Sequence, residues 1–143
     1  MKISVRYQSR NGNTKAVAEA IADAAGTEAQ SIDNPIKEPV DVLFVGGGVY
    51  MWDVDKSLRD FLTNLNPDTV KSAAIFSTGG SFSCTHKIAE VLNAKGINVC
   101  SQTLSFKMGI RNNSLLGGKG HITLTPKQLN LVADFVKNTT TNL

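Results

Sequence analysis

The chain has 143 residues with 41% hydrophobic and 19% charged residues, a composition typical of one globular domain that folds without disulfides or structural metals. Its apolar runs are too short to cross a membrane. The net charge is +3, but the sequence lacks the basic cluster with interleaved aromatics that marks nucleic-acid binding. We therefore expect neither a membrane nor a nucleic acid as a partner. We also expect a cytoplasmic location, because the pattern of residues 1–7 is typical of a strand and not of a signal peptide.

The first half of the chain alternates strand and helix patterns. Polar and apolar residues alternate over residues 3–7, and helical spacing follows within residues 16–25. The core face of this helix is predicted at Val17, Ile21 and Ala24. Residues 28–32 predict a short edge strand, and the apolar run 41–45, ending at the glycines 46–48, predicts a strand buried on both faces.

The second half continues the alternation. Apolar spacing predicts a helix around residues 58–65, a strand over 73–76, a helix around 88–92 and a fifth strand over 97–100. The last helix is predicted from Leu129, Val132, Ala133 and Val136. This order favours an α/β fold with an open parallel sheet covered on both faces. Because no linker or repeat interrupts it, we expect residues 1–143 to form a single domain.

Two features conflict with a simple alternation. The connection over residues 33–40 has too few residues for a helix and contains Pro35 and Pro39, so we expect an extended crossover that steps over one strand. Arg6 places a charge on a strand that should be interior. Its guanidinium must therefore reach the sheet edge or pair with a buried carboxylate.

The reactive side chains are few and isolated. Cys84 and Cys100 have neither a CxxC motif nor metal-ligand spacing with His86 or His121. We expect two reduced cysteines that act as packing residues, and no metal site. The sequence also lacks a nucleophile-elbow motif and a Cys-x5-Arg motif, so it predicts no catalytic side chain.

Polar residues crowd the connection between the first strand and the first helix. Ligands of open α/β sheets bind at the carboxyl ends of the strands, and a helix N-terminus attracts phosphate. The candidate phosphate-binding residues are Ser9, Arg10, Asn11, Gly12, Asn13 and Thr14. The alternative is an ordinary helix cap without a ligand.

Two further loops follow the third and fourth predicted strands. The stretch 46–53 carries the only tryptophan, and a planar heterocycle is the ligand that best suits its residues Val49, Tyr50, Met51 and Trp52. Core packing or a partner surface is the alternative. The glycine-rich stretch 77–82 offers backbone groups to a ligand through Ser77, Thr78, Gly79 and Gly80, or is a plain strand-to-helix turn.

Together these loops resemble the flavodoxin-like family. Ser9, Gly12 and Thr14 match its phosphate loop, and Asn11 stands where that loop commonly has threonine. Further matches along the chain are Asp41, Phe106, Gly109, Gly120 and His121. The resemblance implies a three-layer α/β/α sandwich with a five-stranded parallel sheet of order 2-1-3-4-5.

The resemblance also implies a non-covalently bound flavin mononucleotide (FMN). The first loop would hold its phosphate, Tyr50 or Trp52 would stack on the isoalloxazine, and backbone groups of residues 77–80 would bond its pyrimidine edge. We expect an electron carrier that serves a redox partner protein and is a monomer or weak homodimer. The alternatives are an FMN-dependent NAD(P)H:quinone or small-acceptor reductase, with residues 105–124 as a pocket wall, and a flavin-free interaction domain.

Overall fold

The computed structural model describes residues 1–9, 12–50, 53–79, 85–106 and 123–142, with the main chain only at residues 49, 50 and 53. The strands in this part of the chain are β1 (Ile3–Gln8), β2 (Ala29–Ser31), β3 (Val40–Tyr50), β4 (Asp53–Val54), β5 (Val70–Thr78), β6 (Asn98–Val99) and β7 (Leu104–Phe106). The helices are α1 (Asn13–Ala25), α2 (Lys56–Thr63), α3 (Thr85–Ala94) and α4 (Pro126–Thr141).

The strands form one sheet with the order β2-β1-β3-β5-β6, and neighbours along this path are parallel. β7 pairs with β5 beyond the end of β6, and β4 pairs antiparallel with the end of β3. With the two-residue strand β4 left aside, this confirms the predicted order 2-1-3-4-5. The order reverses between β1 and β3, so the topological switch point lies there.

Two apolar layers cover the sheet. On one face, α1 and α4 pack against alternate residues of the strands, and the rings of Phe44 in β3 and Phe135 in α4 meet edge to face at 5.6 Å. On the other face, α2 and α3 cover the intervening residues, including Leu43 and Ile75. The two central strands are therefore buried on both sides, as their apolar runs predict.

The strand ends differ from the prediction. β3 continues through the glycines to Tyr50, and Gly46 pairs with Tyr7 on one side and Phe76 on the other. A Cβ atom at Gly46 would overlap the carbonyl oxygen of Phe76, and one at Gly47 would lie 2.6 Å from Cδ2 of Leu58. These glycines allow close packing inside the sheet and do not end the strand.

Two helices present a different face from the one predicted. In α1 the buried side includes Ala18 and Ala22, and Ala24 is exposed. In α4 Leu129 is 47% exposed and Ala133 is also exposed, while Phe135, Val136 and Thr139 join Val132 in the buried stripe. The buried residues of α4 follow the 3.6-residue period, while Leu129 and Ala133 stay exposed.

The connection from β2 to β3 has no helix, as predicted, but Arg6 contradicts both expectations for its charge. Its Nε donates to the carbonyl of Asn34 at 2.8 Å and its Nη1 to the carbonyl of Val5 at 3.2 Å. The guanidinium thus stays buried and bonds to main-chain oxygens instead of a carboxylate.

No helix in the described ranges is long and apolar enough to cross a membrane.

Candidate functional site

The three strands that lead into the predicted loops end at the same edge of the sheet. β1, β3 and β5 are adjacent and parallel, so the chain leaves all three strands on the same side. This edge contains the switch point between β1 and β3. The topology therefore brings together the three groups of residues that the sequence singles out.

The first loop leads into α1 through a left-handed glycine. Gly12 has φ +92° and ψ −9°, and its N–H donates to Oγ of Ser9 at 2.9 Å. Asn13 and Thr14 are buried in the first turn of the helix. Arg10 and Asn11 lie outside the described residues. The Ser9 hydroxyl thus supports the turn in which the chain enters the helix.

The N-terminus of α1 differs from those of two other helices. The Asp55 carboxylate caps α2 by accepting from the N–H of Ser57, and the Thr125 hydroxyl caps α4 by accepting from the N–H of Gln128. The residue at the N-cap position of α1 is Gly12, which has no side chain to serve as a cap. A helix end of this kind presents main-chain N–H groups and the positive end of the helix dipole to a bound anion.

A buried hydroxyl pair joins the first loop to the third. Oγ1 of Thr14 and Oγ1 of Thr78 are 2.6 Å apart, although 64 positions separate them in the chain. Thr14 is 1% and Thr78 3% exposed. The bond fixes the start of α1 against the end of β5, across the end of β3.

We expect Thr14→Val to lower the free energy of unfolding by about 1–3 kcal/mol, because it leaves the buried Thr78 hydroxyl without its partner. The double variant Thr14→Val/Thr78→Val should lose clearly less than the sum of the two single variants, since it removes both members of the pair. Urea denaturation of the four proteins in this cycle measures the coupling. Thr63→Val, at an exposed hydroxyl that donates to the Asp60 carbonyl, is the control and should change stability by less than about 0.5 kcal/mol. Strict additivity in the cycle would contradict the prediction.

The second predicted loop is a β-hairpin. Val49 pairs with Val54, and Tyr50 pairs with Asp53, so the strands continue to the tip of the turn. The side chains of Val49 and Tyr50, and Met51 and Trp52 as a whole, lie outside the description. The main chain of Val49 and Tyr50 lies at the end of β3 beside the switch point, and the role of all four residues in ring stacking stays a prediction.

The third predicted loop begins later than expected. Ser77 and Thr78 are the last residues of β5, and their side chains are buried. Oγ of Ser77 lies 3.2 Å from Oγ of Ser105 in β7, and the N–H of Gly79 donates to the carbonyl of Phe106 at 3.1 Å. Gly80 lies outside the described residues. The ligand contacts expected of Ser77, Thr78, Gly79 and Gly80 stay a prediction.

Gln8 is one residue at this edge that the sequence analysis did not single out. It ends β1 beside Gly47, and its Oε1 is buried and accepts no hydrogen bond from the residues described. The signal was present in the sequence, because Ser4, Arg6 and Gln8 alternate with the apolar residues of β1. Such a polar stripe on an interior strand indicates a special environment.

The isolated reactive residues lie away from this edge or outside the described ranges. Cys100 is a free, half-buried cysteine, and burial raises the pKa of its thiol. His86 is exposed on α3. Cys84 and His121 lie outside the description. Across the residues that the structure describes, no group of three or more histidine, cysteine or acidic side chains is arranged to hold a metal ion.

Comparison with known proteins gives a consistent result. The model of a family described as the flavodoxin domain matches residues 4–96, which is more than half of the chain. No curated protein matches the sequence significantly.

Solved structures with similar architecture have low sequence identity to this chain. A flavodoxin from the domain Archaea is 21% identical with a TM-score of 0.61, covering 98% of this chain and 99% of its own. The two-electron reduced flavodoxin of Megasphaera elsdenii is 19% identical with a TM-score of 0.66, covering 94% and 98%. An NADH:FMN oxidoreductase in its apo form is 17% identical with a TM-score of 0.61, covering 100% and 90%. At these identities the likeness shows the fold alone.

Proposed function

The chain belongs to the flavodoxin family of flavin-binding electron-transfer proteins, and we propose that it binds FMN non-covalently and carries electrons to or from a redox partner protein. FMN supplies the redox chemistry when bound, and the protein supplies binding, orientation and access. No catalytic side chain of this chain is required for that role.

The observation that carries the proposal is the N-terminus of α1 at the switch point. It begins at a left-handed glycine that offers no side-chain cap, and Ser9 and the Thr14–Thr78 pair hold the turn in place. A phosphate group suits this end because main-chain N–H donors and the helix dipole both favour an anion. The residues present therefore fit the phosphate end of FMN.

The remaining contacts follow from position. The hairpin at the end of β3 would lie against the isoalloxazine ring through Tyr50 or Trp52, and the end of β5 would border the opposite edge of the ring. The proposed binding set is completed by Arg10, Asn11, Asn13, Val49, Met51, Ser77, Thr78, Gly79 and Gly80. Gln8, with its buried Oε1 beside Gly47, is positioned to influence the same edge.

The absorption spectrum of the purified protein and a titration of its flavin-free form with FMN test the proposal. Trp52 is the only tryptophan, so its fluorescence reports on the hairpin directly. We expect saturable quenching by FMN and weaker binding of riboflavin, which lacks the phosphate. Absence of binding at micromolar FMN would overturn the proposal and leave the flavin-free interaction domain.

Steady-state turnover separates a carrier from a reductase. A carrier should consume no NADH or NADPH on its own, with quinones or other small acceptors present, and should accept electrons only through a partner flavoprotein. Sustained NAD(P)H oxidation by the FMN-loaded protein would assign the reductase activity instead.

A further inference from the structure

A polar cleft lies at the end of the sheet opposite the three loops. Its volume is about 500 Å³, and it is lined by the first residues of β1, by Val40 at the start of β3, and by the β2–β3 connection from Asn34 to Pro39. None of the residues proposed to bind FMN lines it. It is therefore a separate feature of the molecule.

The buried residue Arg6 is among those that line this cleft. Arg6 is 8% exposed, and its three hydrogen bonds all go to main-chain carbonyls, the third from Nη2 to Pro35 at 3.5 Å. In the described part of the chain no carboxylate forms an ion pair with it. A guanidinium has five N–H donors, so two are left over from these bonds. Burying a charge beside neutral acceptors alone is costly, and a counter-anion offsets that cost.

Basic side chains outnumber acidic ones among the other charged residues of the cleft. Lys2 and Lys37 line it together with Arg6, and Glu38 is the single acidic residue among the lining side chains. Lys2 Nζ lies 3.5 Å from the Glu38 carboxylate at the exposed rim. The lining thus has a net charge of +2, whereas the whole chain has +3.

We propose that this cleft binds a phosphate monoester, with the dianionic phosphate facing Arg6 between the two lysines. The charge of such a group near neutral pH matches that of the lining, and Arg is well suited to phosphate because its N–H donors are fixed in a plane. Ser4, Gln30 and Asn34 add hydroxyl and amide groups for the organic part, for which the volume leaves room. The proposal is independent of FMN binding at α1.

Arg6 is not substituted in the test, because its hydrogen bonds to Asn34 and Pro35 also hold the β2–β3 connection in place. Inorganic phosphate and ribose 5-phosphate are titrated into the FMN-treated protein, with sodium chloride at equal ionic strength as the reference, and the Nε–Hε signal of Arg6 is followed by NMR. We expect a saturable shift with both phosphates and none with chloride. In Lys2→Gln/Lys37→Gln the affinity should fall about tenfold or more. Lys127→Gln/Lys137→Gln, at exposed positions of α4, removes the same charge elsewhere and should leave the affinity unchanged.

Three results would overturn the proposal. These are the absence of a saturable Arg6 shift, an equal shift with chloride, and phosphate-induced shifts confined to the main-chain amides of Gly12 and Thr14. The last result would place the anion at α1 and so bear on FMN binding alone. If the amide NMR spectrum shows that the double variant is not folded, the single variant Lys37→Gln is used in its place. The rise in melting temperature on addition of phosphate then serves as a second measure of binding.

Discussion

Gly46→Ala is expected to cost at least about 3 kcal/mol of folding free energy, at the upper end of the range for overpacked cores. Gly46 lies between β1 and β5 in the middle of the sheet, and an added Cβ would overlap the Phe76 carbonyl oxygen and approach Cδ2 of its ring to 2.5 Å. A main-chain oxygen held in a parallel ladder cannot rotate away as a side chain can. Urea denaturation midpoints measure the loss.

Gly26→Ala is the matched control. Gly26 follows α1 with φ +75°, and a Cβ there meets nothing within 4 Å. Its substitution costs only the left-handed backbone conformation, about 1 kcal/mol. Equal losses in the two variants would mean that the sheet accommodates the added Cβ and that close approach does not require glycine at residue 46.

Gly12→Asp should weaken FMN binding at least about tenfold relative to Gly12→Asn, because it places a carboxylate beside the phosphate site at the start of α1. Asparagine has nearly the same shape as aspartate, and both residues tolerate the left-handed conformation of Gly12. The comparison therefore isolates the charge. Fluorescence titration in phosphate-free buffer measures both affinities.

Riboflavin provides the internal control for this pair. It carries no phosphate, so its affinity should be the same in the two variants. The expectation fails if Gly12→Asp weakens riboflavin binding as much as FMN binding, since the loss of affinity would then come from distortion of the hairpin or of the ring site. It also fails if the FMN affinities of the two variants are equal.

The sequence predicts the parallel sheet for a physical reason, whereas the full strand order is implied by the family resemblance. β3 and β5 are buried on both faces, so their apolar runs stand out, and the two prolines before β3 exclude a helix in the crossover. Once the order is known, the edge that carries the three loops follows from topology. The position of the candidate site was therefore accessible from the sequence.

Other features depend on three-dimensional contacts that local patterns do not encode. Residues 46–48 read as a turn because glycine usually marks one, while here the missing side chain allows the close approach of Phe76. Leu129 fits an apolar helix face and yet is exposed, because the neighbouring layer sets which stripe is covered. The Thr14–Thr78 pair spans 64 positions and becomes visible only when β1 and β5 flank β3.

The lengths of the described strands also bear on where a second chain could pair with the sheet. The long strands β3 and β5, with eleven and nine residues, occupy the interior, whereas β2 has three residues at one border and β6 and β7 have two and three at the other. A border strand offers unpaired main-chain groups to a second molecule only over its own length. Over the described residues, these short border strands offer an incoming chain few main-chain groups to pair with, while the long hydrogen-bonded ladders of β3 and β5 stay enclosed.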